Sequence, residues 1–379
     1  MPQAKKNPLG VVSSQKEKIM IKIIDLQIRE VHLPLTEPYT IAYETVAETT
    51  NLFLEITTSG GLKGFGCAAP DLEVTGETSS SVLSRFEKIV APYLEGKSPF
   101  RIAHIMTELR LECPGSPALL AMVDMALHDL LARKAGLPLY QVLGGYRSSM
   151  PTSITIGILP VKESLEKAVQ FYRQGFRILK VKGGLAAEMD IERIHRIREK
   201  LGKSIAIRFD ANQGYSVEET IHFVRETRQC DIEILEQPTP REELEALGEV
   251  TRQTHLPVMA DESLLTLPDA FHIARNNWAD MINIKLMKTG GIAQALHINS
   301  VARAAGMEAM VGCMDESALS ISAGLHFALS RPNVEFADLD GHLDLLDDPA
   351  AGCIRLKDGV LFPNERPGLG VEGLALFSR

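Results

Sequence analysis

The chain has 379 residues, 45% hydrophobic and 23% charged, enough for one large α/β unit or a barrel with a smaller companion domain. Its net charge of −9, with acidic and basic residues interspersed, leaves no basic stripe to neutralise a run of phosphates and argues against nucleic acid as a partner. No apolar run reaches the roughly 18 residues of a membrane helix, and five cysteines (Cys67, Cys113, Cys230, Cys313, Cys353) without CxxC spacing argue against a disulfide framework or zinc knuckle and for a reducing cytoplasm.

Residues 1–18 are polar and basic, lack a signal peptide's apolar region, and are read as a flexible extension. From Ile19 to Pro34 apolar and polar residues partly alternate. Residues 51–58, the turn Ser59-Gly60-Gly61 and residues 62–67 read as two strands of an antiparallel sheet. Residues 78–95, 100–112 and 117–135 read as helices, the last stopping near Gly136 and Pro138. An α+β unit over 19–145 therefore precedes a boundary near Gly144-Gly145.

The pattern then changes to short β-branched runs, each followed by a helical stretch: 152–157, 177–182, 205–210, 232–236, 257–261, 281–285, 308–313 and 334–338. Eight nearly continuous apolar runs at near-constant spacing predict a parallel barrel covered by helices over 146–340. A doubly wound open sheet is the alternative, but no GxGxxG turn follows the first run to support it. Residues 341–379, rich in Asp, Pro and Gly, lack a ninth unit and are expected to return to the N-terminal unit.

The charged residues of these runs stand at their ends. Lys180 and Lys182 close the second, Asp210 the third, Glu236 the fourth, Asp261 the fifth, Lys285 the sixth, and Asp338 and Asp340 the eighth. The carboxyl ends of barrel strands open onto one face, so these residues meet in one bowl. Single charges at strand ends are usually caps or surface pairs; five in register are not.

Three neighbouring carboxylates repel one another unless a cation joins them. An oxygen-only donor set of Asp210, Glu236 and Asp261 points to Mg²⁺, with Mn²⁺ as a substitute, and not to zinc. Such an ion can bind a substrate carboxylate and stabilise the enediolate formed when the α-carbon is deprotonated. Lys182 and Lys285, on strands two and six, would flank a planar intermediate from opposite sides. One removes a proton and the other returns one, which inverts the stereocentre. Burial and nearby cations, Lys180 among them, favour the neutral form that a lysine base requires. Lys288 reads as an ordinary surface residue, His128 as a packed histidine, and Asp344, Asp347 and Asp348 as a solvated loop.

These residues resemble the muconate-lactonizing branch of the enolase superfamily, from about residue 20 to near the end. Lys180-Val-Lys182 resembles its KxK, Asp210-Ala-Asn212-Gln213 its DANQ, Glu236-Gln237-Pro238 its EQP, Asp261-Glu262-Ser263 its DES and Asn283-Ile-Lys285 its NxK. Ala126-Leu-His-Asp129-Leu and Leu143-Gly-Gly145 resemble the helix leading into the barrel. The resemblance implies an α/β fold, a (β/α)₇β TIM-like barrel with an α+β capping domain formed by the N-terminal third and the C-terminal tail. It also implies Asp210, Glu236 and Asp261 as magnesium ligands, one ion per subunit, and Lys182 and Lys285 as the acid/base pair with Lys180 tuning Lys182. Homo-oligomers are compatible with such a barrel.

Within that branch, Asp338-Leu-Asp340 resembles the DxD with which dipeptide epimerases hold the substrate's α-ammonium group, a receptor that muconate and succinylbenzoate precursors do not need. N-acylamino acid racemase and o-succinylbenzoate synthase are the alternative activities, as is L-Ala-D/L-Glu epimerase itself. The loop Tyr39–Val46 matches the one that presents an arginine to the substrate glutamate in Ala-Glu epimerases, and Glu44 stands at that position. A carboxylate there implies a hydrophobic or cationic C-terminal residue in preference to Glu. Thr75, in the loop 74–78, and Asn212, Met314, Asp315 and Glu316 are further candidate substrate contacts.

Overall fold

The computed structural model describes residues 21–40 and 45–378. β1 (Ile23–Thr40) pairs antiparallel with β2 (Thr45–Thr58), and β2 with β3 (Lys63–Ala68). The β1–β2 ribbon is longer than the alternation of apolar residues suggests. It continues past Pro34 through a register shift between Pro34 and Tyr39, held where Leu35 bridges Leu345 and the Thr36 amide donates to the Asp344 carbonyl at 2.8 Å. The predicted helix over 78–95 forms in three joined pieces, Ser79–Arg85, a π turn Phe86–Val90 and Ala91–Leu94.

Helix Pro117–Ala135 starts with a proline that needs no hydrogen-bond acceptor and ends at Gly136 in the left-handed region. It lies directly on β3, because a Cβ at Gly66 would stand 2.0 Å from the Met122 carbonyl oxygen. Asp129 fixes this packing: its buried carboxylate accepts from the Phe65 amide at 3.0 Å, the Leu369 amide at 2.7 Å and Arg133 Nε at 2.6 Å, joining β3, the helix and the C-terminal tail. His128, as expected, is packed, with Nδ1 2.9 Å from the Asp124 carbonyl.

Eight parallel strands follow: β5 (Ile154–Ile156), β6 (Ile178–Lys182), β7 (Ala206–Asp210), β8 (Ile232–Glu236), β9 (Val258–Ala260), β10 (Met281–Lys285), β11 (Glu308–Gly312) and β12 (Val334–Asp338), neighbours in chain order. Each predicted run contains its strand. The edges β5 and β12 meet where the Ser153 amide donates to the Ala337 carbonyl and its hydroxyl to Asp338, giving a (β/α)₇β barrel. Inside, Ile234, Met259, Met281 and Met310 pack with Phe336 as a separate apolar layer. The register sets Lys182 opposite Asp210, Asp210 opposite Glu236, and Gly312 opposite both Lys285 and Asp338, so the charged ends lie at one level.

The tail makes β13 (Ile354–Lys357) and β14 (Val360–Pro363), and β14 pairs with β4 (Met150–Pro151). Asp348, expected in a solvated loop, instead accepts from Ser317 Oγ at 2.7 Å and the Ala318 amide at 2.6 Å, satisfying the start of helix Ala318–Leu329. No described helix is long and apolar enough to cross a membrane.

In the same helix, His326 is fully buried; its Nδ1 accepts from the Tyr140 amide at 3.0 Å and burial lowers its pKa to about 3. An unfolded histidine titrates near 6.5. Between those values the unfolded chain binds the extra proton, so this contribution is complete above about pH 6.5 and is lost as pH falls below it, by about 1.4 kcal/mol per pH unit. In His326→Asn, whose amide oxygen can take the place of Nδ1, the fall in urea-unfolding free energy between pH 6.5 and 4.5 is expected to be shallower than in the parent. Equal slopes would contradict the assignment.

Candidate active site

Three strand ends carry the acidic centre. One carboxylate oxygen each from Asp210, Glu236 and Asp261 lies within 4.8 Å of the others, and all three residues are buried. Asn283 Nδ2 donates to Glu236 Oε1 at 2.8 Å, which orients that carboxylate. Nearby, Asn212 Oδ1 and Glu262 Oε2 are buried without a hydrogen-bond partner among the described residues. An all-oxygen triad beside unsatisfied acceptors fits a hard, hydrated divalent cation and does not fit zinc.

Four lysines surround the triad. Lys182 Nζ lies 2.8 Å from Asp210 Oδ2, and Lys285 Nζ 2.8 Å from Asp261 Oδ2. Lys180, almost fully buried, reaches Asp338 Oδ2 at 2.8 Å, Glu236 Oε2 at 2.9 Å and Asp210 Oδ2 at 3.1 Å. The fourth overturns the surface reading of Lys288: it is buried, and its ammonium group sits against both the carboxylate and the backbone carbonyl of Asp261. The signal available in the sequence was its place three residues after Lys285, in the short helix Leu286–Thr289 that turns it back toward β9.

Electrostatics follow from this packing. Burial and then the charge of Asp210 push Glu236 up to about 8. For Asp261 burial acts in the same upward direction, but Lys285 and Lys288 outweigh it and hold the carboxyl well below the usual range. Lys285 departs from the sequence expectation. Burial would lower it, yet the adjoining Asp261 carboxylate holds it above its ordinary value.

Two cavities meet at Lys182 and Lys285. The first, about 820 Å³, runs from Lys180, Asp338 and Asp340 outward past Ile156 and Leu159. The second, about 560 Å³, is walled by the start of β2, the loop after β3, Asn212 and Glu262. Met314 and Asp315 line both. Asp338 Oδ1 accepts from Ser153 Oγ at 2.7 Å and Oδ2 from Lys180, whereas Asp340 takes the Thr155 amide at 2.7 Å on Oδ2 and has Cys313 Sγ 3.9 Å from Oδ1. Burial and then Asp338 push Asp340 up to about 7.

The remaining candidates are placed differently. Glu316 is buried and braces its own loop, accepting from the Met314 amide at 2.8 Å. Thr75 spends its hydroxyl inside its loop, on Asp71, and lines a separate smaller cavity. Glu44 lies outside the described residues.

The model for "Mandelate racemase / muconate lactonizing enzyme, N-terminal domain" matches residues 23–144, and that for "Enolase C-terminal domain-like" matches residues 163–374. The L-Lys-D/L-Arg epimerase of Methylococcus capsulatus is 43% identical over 352 residues, covering 93% of this chain and 99% of that protein. A crystal structure of a dipeptide epimerase from the same organism, complexed with Mg and the dipeptide L-Arg-D-Lys, superposes with a TM-score of 0.88 at 43% identity, covering 92% of this chain and 99% of that one. The substrate-liganded L-Ala-D/L-Glu epimerase of Bacillus subtilis superposes with a TM-score of 0.91 at 38% identity, covering 93% and 99%. With both parts of the family matched in order and the strand-end carboxylates and lysines gathered in one bowl, this chain belongs to the mandelate racemase/muconate lactonizing enzyme family of the enolase superfamily.

Proposed function

We propose that this chain is a Mg²⁺-dependent dipeptide epimerase that inverts the α-carbon of the C-terminal residue by two-base 1,1-proton transfer. The observation that carries the reading is the placement of Lys182 and Lys285 four strands apart in an eight-stranded barrel, hence on opposite sides of the carboxylate triad. Asp210, Glu236 and Asp261 would hold the ion; bound there, it supplies a Lewis acid for the substrate carboxylate and offsets the second negative charge of the enediolate.

The rest of the chemistry falls to side chains. Lys182 takes the α-proton from one face and Lys285 delivers one to the other, or the reverse for the epimer. Lys180 shares Asp210 Oδ2 with Lys182; burial would lower its pKa, but Asp338, Glu236 and Asp210 outweigh burial and hold it well above its ordinary value, so it stands as a fixed positive charge beside Lys182. Asp340 is the better placed receptor for the substrate's α-ammonium group, since both oxygens of Asp338 are already engaged. A cation beside Asp340 relieves the burial and like-charge repulsion that raise its pKa.

The second cavity suits the C-terminal side chain. Glu48, Asp71 and Glu262 line it, and the three lysines that line it each contact a carboxylate of the triad. A substrate glutamate would meet like charge there, so a cationic or hydrophobic side chain is favoured. Glu44 in the sequence and the L-Lys-D/L-Arg relative support the same preference.

Each of Lys182→Ala and Lys285→Ala should lower epimerisation by at least about 10³-fold. In D₂O each should still exchange the α-proton of one epimer only, and the two variants should retain opposite epimers. Loss of exchange for the same epimer in both would contradict a base on each face.

Asp340→Asn should raise KM for dipeptides about tenfold or more, equivalent to about 1.4 kcal/mol. Turnover of N-acylated amino acids, which lack the ammonium group, should be unaffected. Equal losses on both substrates would remove Asp340 as the receptor and favour the N-acylamino acid racemase reading.

A further inference from the structure

The glutamines of the two motifs Asp210-Ala-Asn212-Gln213 and Glu236-Gln237-Pro238 touch neither cavity at Lys182 and Lys285, yet each follows a triad carboxylate. Gln237 is fully buried and all four positions of its amide are used. Its Oε1 accepts from the Asp261 amide at 2.9 Å and the Ser263 amide at 3.1 Å, and its Nε2 donates to the Thr239 carbonyl at 3.0 Å and Ser263 Oγ at 2.9 Å. One side chain therefore clamps the strand end carrying Asp261 to the strand end carrying Glu236.

Gln213 adds the third strand end. Its backbone N–H donates to the Gln237 backbone carbonyl at 2.8 Å, and its side-chain Oε1 accepts from the Arg241 backbone N–H at 3.0 Å. Asn212 and Gln213, and separately Gln237, have positive φ of 45°, 68° and 32°, which non-glycine residues adopt only when their surroundings enforce it.

The braces converge on Arg241. Ser263 Oγ donates to the Arg241 carbonyl at 3.1 Å, and Arg241 Nη1 donates to the Glu73 carbonyl at 3.2 Å. Glu73 lies in a loop closed on itself, where the Thr75 amide and hydroxyl both donate to the Asp71 carbonyl. Asp71, Leu72 and Val74 of that loop wall the second cavity.

From this geometry we infer that Gln237, Gln213, Ser263 and Arg241 form a positioning relay through which occupancy of the carboxylate triad by a divalent cation fixes the Asp71–Thr75 loop over the side-chain cavity. The relay rests on the proposed metal site but not on the identity of the substrate. A cation that draws Asp261 and Glu236 together acts on the backbone amides that Gln237 holds, and Ser263 and Arg241 carry that placement to the loop. Gln237 and Arg241 touch no reacting atom; both act through other residues.

The test uses the full-length protein without substrate and Mn²⁺ as the probe. Free Mn²⁺ is counted by electron paramagnetic resonance, and hydrogen exchange is followed in peptides covering residues 70–78. Mn²⁺ should slow exchange of that loop in the parent chain. Gln237→Met, which keeps the length and loses all four hydrogen bonds, should weaken Mn²⁺ binding about tenfold and abolish the slowing even at saturating Mn²⁺. Arg241→Gln should bind Mn²⁺ within about twofold of the parent and also lose the slowing, while Arg241→Lys should restore part of it. If Gln237→Met does not fold, Ser263→Ala removes one link of the relay and should behave as Arg241→Gln does. Parent-like Mn²⁺ affinity in Gln237→Met, or a loop whose exchange ignores Mn²⁺ in the parent, would overturn the relay. Mn²⁺-dependent slowing in a protein that exchanges no dipeptide α-proton would leave the relay standing and remove the proposed substrate.

Discussion

Everything at the mouth of this barrel depends on keeping buried carboxylates charged. Asp210, Asp261 and Asp338 sit at strand ends where water cannot solvate them and are held below the ordinary carboxylate range by lysine ammonium groups, whereas burial and the charge of Asp210 push Glu236, in contact with Lys180, up to about 8. Removing one partner of such a buried pair costs about 3–5 kcal/mol, because the other charge is left uncompensated. The same opposition makes the site reactive. In the proposed reaction, lysines that balance carboxylates in the chain alone would be the groups freed for proton transfer once a divalent ion shared the carboxylates' charge.

The fold supplies that arrangement through register. Parallel strands paired without slippage at their carboxyl ends bring Lys182, Asp210, Glu236, Asp261 and Lys285, at the ends of β6 to β10, to one level, although successive ones lie 24 to 28 residues apart. Asp129 and Gly66 let helix Pro117–Ala135 lie flat on the N-terminal sheet and tie it to the tail. The long β1–β2 ribbon and the loop after β3 then reach over the bowl, where they wall the two cavities. The carboxylate triad thus belongs to the barrel, the second cavity is shared between barrel and cap, and Arg241 is among the groups that join the two.

Most of the barrel was legible in the sequence because buried parallel strands are written as apolar runs, and a charge that ends such a run has few reasons to be there. Asp210, Glu236, Asp261, Lys182 and Lys285 all carry that signal. Lys288 does not: it follows a strand end inside a short helix, and only the fold turns it toward Asp261. Asp348 looked like solvated loop because the helix start it satisfies lies 30 residues away. The glutamines were visible as motif letters, but a polar side chain whose partners sit 24 and 26 residues on has no local periodicity to reveal it. β1 outran its apolar alternation because the tail, through Leu345 and Asp344, supplies the partners that extend it.

Inversion at the C-terminal α-carbon is followed most directly by proton NMR of L-Lys-L-Arg incubated with the protein and Mg²⁺ in D₂O. The arginine α-proton signal should disappear, the L,D epimer carrying α-deuterium should appear, the lysine α-proton should stay unchanged, and exchange should be slower for L-Ala-L-Glu. An intact C-terminal α-proton in this and every other L,L-dipeptide offered would contradict a dipeptide epimerase.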